Sequence, residues 1–271
     1  MAKYIYSFII LMVLSSFSGD REIYSSITHD SFDKGEILEY KLKFGFITVG
    51  NAEFVIDNDI RTMNDRECHK IDIYARTSSW INWISKVEDQ WGAYVDTEAI
   101  LPHMTYRNIR EGRYRKNEEI YFDHFNNQVE AKVINKKTGE FKPSVYYDVP
   151  NNVRDMISGL AYMRTVDYSN YKNGDRIKID AFFEDEVYDF YMVFKKREVI
   201  KTKLGKINAI KLMPEMPDNE IFDGKNSISV WISDDENHIP LKFEAKMFLG
   251  NAGVEINGHK GLSHPLNFAQ K

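Results

Sequence analysis

The sequence predicts a mainly β protein: a large antiparallel meander forming a barrel, half-barrel or two-sheet sandwich, with one central α-helix at about residues 152–164. Three observations predict it. Short stretches of alternating apolar and polar residues recur along the chain between turns rich in Gly, Asn and Asp. Only one stretch repeats at helical spacing. No strand is followed by the crossover helix that a parallel sheet needs.

The first strand sets the pattern. Leu38, Tyr40, Leu42 and Phe44 alternate with Glu39, Lys41 and Lys43, giving one dry and one wet face. A connection from Gly45 to Gly50, rich in apolar residues, leads to Ala52, Phe54 and Ile56. Further strands are expected at Cys68–Thr77, Val87–Val95, His103–Ile109, Glu118–Phe122 and Val129–Asn135, with turns at Arg110-Glu111-Gly112 and Lys137-Thr138-Gly139. Val153, Met156, Ile157, Leu160, Ala161 and Met163 then repeat as a helix, preceded by Pro150 and the cap candidates Asn151 and Asn152. After Gly174 strands resume near residues 176–183, 187–194, 206–213, 227–232, 241–248 and 253–256. Residues 35–258 therefore read as a single domain of two β halves joined by the helix, between a flexible tether at 19–34 and a C-terminal tail at 259–271. So many antiparallel strands must close or stack to hide their edges.

The N-terminus has the features of a secretory leader spanning residues 1–18: Lys3, an apolar run from Ile5 to Leu14, and small residues Ser16 and Ser18 ahead of Gly19. That run is shorter than the roughly 20 residues of a membrane-spanning helix. No Cys stands at the junction to accept a lipid, so the expectation is an exported, soluble periplasmic protein rather than a lipoprotein, with no transmembrane segment after cleavage. A hydrophobic content of 43% with 28% charged residues suits a globular core. The formal charge of −5, one unit more negative without Lys3, argues against a nucleic-acid partner.

Chemistry-bearing patterns are sparse. The single cysteine, Cys68, lies in a strand-like alternation beside His69; neighbouring strand residues point to opposite faces, so Cys68 reads as a packing thiol rather than a nucleophile. The acidic run Asp234-Asp235-Glu236-Asn237 lacks the ligand spacing of a calcium loop and reads as a turn. The seven His residues show no metal-ligand spacing, and neither a metal nor another cofactor is expected.

Several stretches together resemble a family of exported bacterial proteins known as domain of unknown function 3108. They are Gly35-Glu36-Ile37-Leu38-Glu39-Tyr40 with Gly50-Asn51-Ala52, Val87-Glu88-Asp89 before Leu101-Pro102, Asp155-Met156-Ile157-Ser158-Gly159-Leu160 before Tyr162-Met163-Arg164, and Val230-Trp231-Ile232-Ser233-Asp234-Asp235 before Ile239-Pro240-Leu241. The resemblance implies an envelope-associated, mainly β fold of Gram-negative type and supplies no catalytic residue.

Two clusters are candidate binding elements. Trp80-Ile81-Asn82-Trp83-Ile84 follows a strand and, with the apolar loop Phe46-Ile47-Thr48-Val49, offers large side chains outside the regular pattern. Arg107, Arg110 and Arg113 crowd an expected exposed hairpin, where guanidinium groups could meet phosphate or carboxylate. The leading expectation is non-enzymatic binding or carriage of an envelope lipid or glycolipid; the alternative is an interaction protein with an envelope-protein partner. A cell-wall glycan hydrolase using Asp89, Asp155 or Asp234 ranks third.

Overall fold

The computed structural model describes residues 24–81, 86–215, 227–247 and 250–270. Its strands are β1 (Ile37–Phe44), β2 (Ile47–Met63), β3 (Arg66–Thr77), β4 (Glu88–Asp96), β5 (Pro102–Glu111), β6 (Tyr114–Asp123), β7 (Gln128–Val133) and β8 (Val145–Asp148), then β9 (Arg176–Phe183), β10 (Glu186–Thr202), β11 (Gly205–Glu215), β12 (Ile228–Ser233), β13 (Pro240–Met247) and β14 (Gly250–Lys260). The helix α1 (Met156–Thr165) separates the two runs. All fourteen strands join one antiparallel sheet in the order β8-β7-β6-β5-β4-β3-β2-β1-β14-β13-β12-β11-β10-β9. The chain starts at the middle of the sheet, walks to one edge, crosses through α1 to the other edge, and walks back until β14 pairs with β1.

The sheet is open, and it rolls over itself. Cross-strand partners point to the same face, and the registers place Leu38, Phe54, Ile73, Trp91, Arg107 and Glu118 on one face. On the other side of β1 the same face carries Val254, Phe243, Val230 and Leu212. This face is the inner one: Trp91 stacks on Phe183 with ring centroids 6.0 Å apart. Phe182, pointing outward from β9, packs on the inward-facing Phe122 and Tyr147 of β6 and the β8 edge. The edge of β9 thus tucks inside the far half. Its backbone is partly satisfied by the segment after β8, where Arg154 N donates to Asp180 O and Phe182 N donates to Arg154 O, both at 2.8 Å.

One end of the roll, the base, is packed shut. Ile157 and Ala161 of α1 join Leu38, Ile56, Ile71, Ala93 and Val95 in the main core, while Met163 lies with Ile177, Ile179, Ile210 and Leu212. The helix begins later than its apolar spacing predicts. Asp155, not Asn151 or Asn152, is the N-cap: its carboxylate accepts from Ile157 N and Ser158 N, and the Ser158 side chain accepts from Asp155 N. Asn152 has a φ of +59° and Arg154 is engaged by β9, so both stay outside the helix.

The tether and tail expectations are corrected for the residues described. Residues 24–34 have no regular structure, yet Phe32 is buried and Ile27 N bonds Glu98 O. Burying a Phe contributes about 1.5–3 kcal/mol, enough to hold a segment that shows no periodicity. At the C-terminus, Phe268 bridges Ile207 and Asn208 N donates to Asn267 O at 3.0 Å.

A buried arginine links these pieces. Arg164, near the end of α1, donates to Glu36 Oε2 at 2.8 Å, to Ser31 O at 2.9 Å and to Asn237 O at 2.9 Å, and its guanidinium lies 4.9 Å from the Phe32 ring centre. Removing one member of such a buried pair leaves an uncompensated charge, a loss of about 3–5 kcal/mol. Arg164→Met is therefore expected to lower unfolding free energy by about that amount in urea titration, and the Glu36→Met, Arg164→Met double variant by less than the sum of the two single changes.

Candidate functional site

At the end opposite α1, the tip, the inner face of the roll stays accessible. On β3, β4, β12, β13 and β14 the side chains nearer the base are buried, namely Ile71, Ala93, Ile232, Leu241 and Ile256. Their neighbours two residues tipward, Ile73, Trp91, Val230, Phe243 and Val254, are only half-buried. Leu42 and Phe190 extend the same partly covered apolar surface. Further tipward the covering is mixed, since Ile228 and Ala245 on the same face are buried.

The rim of the tip carries the residues singled out by sequence. Gly45, with a φ of +57°, turns β1 into β2, so the expected loop Phe46-Ile47-Thr48-Val49 is corrected: Ile47 and Thr48 already pair with β1, Val49 is the extra residue of a bulge within β2, and only Gly45 and Phe46 form the turn. Phe46 is fully exposed, and Phe44 and Ile47 are exposed beside it. Val49 O accepts from Ser78 N at 2.8 Å, which brings the short 3₁₀ turn Ser79–Ile81 and the exposed Trp80 alongside this hairpin. Trp83 lies outside the described residues, as does the leader at 1–18. Gly112 N bonds Lys86 O, so the β5–β6 turn with Arg110 and Arg113 comes next on the same rim.

The three arginines do not form one patch. Arg110 and Arg113 are exposed, and Arg110 N is tied to Asp89 Oδ1 at 2.8 Å. Arg107, expected on the exposed ribbon, is buried instead because its register partner Glu118 lies on the inner face. Its Nε donates to Glu118 Oε2 at 2.6 Å, and the guanidinium also pairs with Glu184 from the β9–β10 turn and lies 5.2 Å from the Trp91 ring centre. Lys116 Nζ completes the cluster at 3.0 Å from Glu118 and 3.3 Å from Glu184. Arg107 is thus a cross-roll tie, neutralised by carboxylates and unavailable to an external anion. The half-exposed inner face, with Trp91 stacked on Phe183, is a part of the site that sequence inspection did not single out.

The carboxylates considered for hydrolysis are dispersed among separate structural tasks. Asp89 holds Arg110 N on the rim, Asp155 caps α1 at the base, and Asp234 pairs with Arg197 at 3.1 Å. Asp235 accepts from Asn237 N and Asn267 N, the bonding of a turn. Among the described residues no three His, Cys, Asp or Glu side chains are grouped to hold a metal ion.

Comparison with known proteins places the chain. The family model described as a protein of unknown function, DUF3108, matches residues 39–257. The chain belongs to this family. Among solved structures, this DUF3108 chain is similar to a β-barrel-like protein of the domain of unknown function DUF1849 from Brucella abortus, with 8% identity, a TM-score of 0.54, and coverage of 84% of this chain and 98% of that one. That likeness is one of fold alone. A hypothetical protein from Chlamydia trachomatis aligns over 91% of this chain and 98% of its own at 10% identity, with a TM-score of 0.36, which carries no argument. No curated protein matches the chain. No helix among the described residues is long and apolar enough to cross a membrane.

Cys68 is fully buried, and burial first, with the Asp96 carboxylate adding to it, pushes its thiol up to about 12. The thiolate is the reactive form, so the native protein is expected to resist a thiol reagent at pH 8 and to react once unfolded in guanidinium, as read by the thiol-release absorbance.

Proposed function

We propose that this protein is a non-enzymatic binding or carrier protein for a hydrophobic or amphiphilic molecule of the cell envelope, a lipid or glycolipid, and that it acts as an exported, soluble periplasmic protein. The observation that carries this reading is the gradient along the inner face. Half-exposed Ile73, Val230, Phe243 and Val254 stand tipward of a buried floor, alongside the Arg107–Glu118 cluster, and the rim bears Phe46, Ile47 and Trp80. Exposed aromatic groups in such a position cost solvation unless they meet an apolar partner. Arg110 and Arg113 on the neighbouring turn suit an anionic or polar headgroup held at the rim while acyl chains lie on the inner face.

A second reading rests on a different feature. Strand β8 is an outer edge with Val145 and Tyr146 exposed. An exposed edge accepts an added strand, so an envelope protein paired with β8 would make this an interaction module. In that case photo-crosslinkers at Tyr146 recover one dominant protein in cells, and those at Trp80 do not.

Mass spectrometry of organic extracts of gently purified protein tests the carrier reading. A stoichiometric amphiphile is expected, and a protein free of any, which also fails to quench Trp80 fluorescence with brominated lipid, overturns it. Phe46→Ser and Trp80→Ser are expected to leave unfolding free energy within about 0.5 kcal/mol, as for surface positions, while reducing the extracted amphiphile several-fold. Arg110→Glu with Arg113→Glu should keep the fold and weaken binding to vesicles containing anionic lipid relative to neutral ones in a sedimentation assay; equal binding removes the headgroup role.

A further inference from the structure

Away from the tip, a cavity of about 300 Å³ lies where the segment after β8 meets β9, α1 and the β4–β5 turn. Its lining includes Ile27 and Leu101 on an apolar side and Asn152, Arg154, Tyr162, Lys178 and Asp180 on a polar one. Arg154 is the unusual member. It is 8% exposed and has no ion-pair partner among the described residues. Its Nε is buried without a hydrogen-bond partner, while Nη1 donates to Asn152 O at 3.0 Å.

A buried guanidinium is ordinarily matched by a carboxylate, since desolvating the charge is costly. Both other buried arginines described above follow this rule, Arg164 with Glu36 and Arg107 with Glu118. Arg154 instead has the Tyr162 ring 4.0 Å from its guanidinium carbon, which supplies only part of that compensation. Asp180 is nearby, but its carboxylate is bonded to Lys178 Nζ at 3.0 Å. Lys178 also pairs with Asp189 at 3.4 Å. Lys178 and its two aspartates carry one negative charge in excess, but neither carboxylate is within ion-pair distance of Arg154, whose guanidinium therefore has no direct acidic partner among the described residues. Burial pulls that guanidinium down to about 10, against the opposing field of Tyr162 and Asp180.

We infer that this cavity is a binding site for a monoanionic oxyanion, a carboxylate or a phosphodiester, with Arg154 as its anchor. Either oxyanion offers acceptors to the edge of the guanidinium that lines the cavity. On the apolar side of the cavity, Ile27 and Leu101 lower the local dielectric and strengthen that pair. Backbone bonds on both sides of Arg154, from Arg154 N to Asp180 O and from Phe182 N to Arg154 O, fix its position against β9. The site is independent of the carriage proposed for the tip.

Thermal unfolding of the full chain tests it, with acetate, dimethyl phosphate or chloride added at matched ionic strength. A ligand of the native state raises the midpoint saturably, so acetate or dimethyl phosphate should do so and chloride should not. Arg154→Met is expected to weaken the apparent affinity about tenfold or more, the loss of a charge-assisted pair. Arg154→Lys should restore part of it. A short-chain phosphatidylglycerol below its micelle concentration separates the sources: stabilisation stronger than that by dimethyl phosphate assigns a lipid headgroup, and equal stabilisation assigns a free small anion. If Arg154→Met does not fold, the Nε proton resonance of Arg154 in the wild type decides, since it must shift on titration with either oxyanion. No response to either oxyanion, or an undiminished response in Arg154→Met, overturns the assignment.

Discussion

The buried contact between Arg164 and Glu36 is the constraint from which the arrangement of the molecule follows. Glu36 stands at the entrance to β1, the strand at which the two meanders meet, and Arg164 stands at the end of the helix that carries the chain from one sheet edge to the other. One guanidinium therefore joins the middle of the sheet, the N-terminal segment through Ser31 O, and the β12–β13 turn through Asn237 O. Every donor aimed at a fixed acceptor narrows the positions α1 can take. With α1 fixed on the inner face, the base is filled and the sheet has something to curl around.

The opposite region is held by a different device. Arg107, Glu118, Lys116 and Glu184 pair across the roll, from β5 and β6 to the β9–β10 turn. The cluster sits next to Trp91 and Phe183, so the walls are tied together beside an apolar surface rather than by continued packing of aliphatic side chains. A wall joined this way is held at its spacing by charge pairing, and beside it Trp91, Val230 and Phe243 are only half-covered while the side chains near α1 are sealed.

What the sequence discloses depends on whether a strand has one dry face. Leu38 to Phe44 alternates cleanly, because its inner face meets the core and its outer face meets water. The second half of β2, with Asp57, Asn58, Asp59 and Arg61, leaves the core and shows no alternation, so its extension to Met63 was not legible. The signal that was available is the pair Asn64-Asp65, both at positive φ, a combination suited to a two-residue hairpin turn. β8 is short and exposed on both faces, and leaves no pattern. Helix α1 is visible from its spacing, but its start is not, because Val153 is apolar for a different reason, packing with Phe122, Val149 and Phe182 at the seam. Among the candidate site residues, Phe46, Ile47 and Trp80 were identifiable as apolar groups out of pattern. Arg107 stands among charged neighbours in sequence, although counting outward from Gly112 sets it opposite Glu118 and alternation sets it with the buried Thr105 and Ile109. Arg154 gave no sign, since an isolated arginine beside a cap region looks like any surface residue until its burial is known.

The overlapping seam has a mechanical meaning. In a closed barrel the number of strands and their stagger fix the diameter, and no strand can move outward without breaking a ladder. Here β8 and β9 are not paired with each other, and the β9 edge is fastened to the segment after β8 by the two backbone bonds at Arg154. The girth of the roll is therefore set by side-chain packing, chiefly Phe182 against Phe122 and Tyr147, and by two amide bonds, while the thirteen strand pairings stay intact. The two edges of such a scroll can part without unfolding any strand, at the cost of the two bonds at Arg154 and of the Arg107–Glu184 tie.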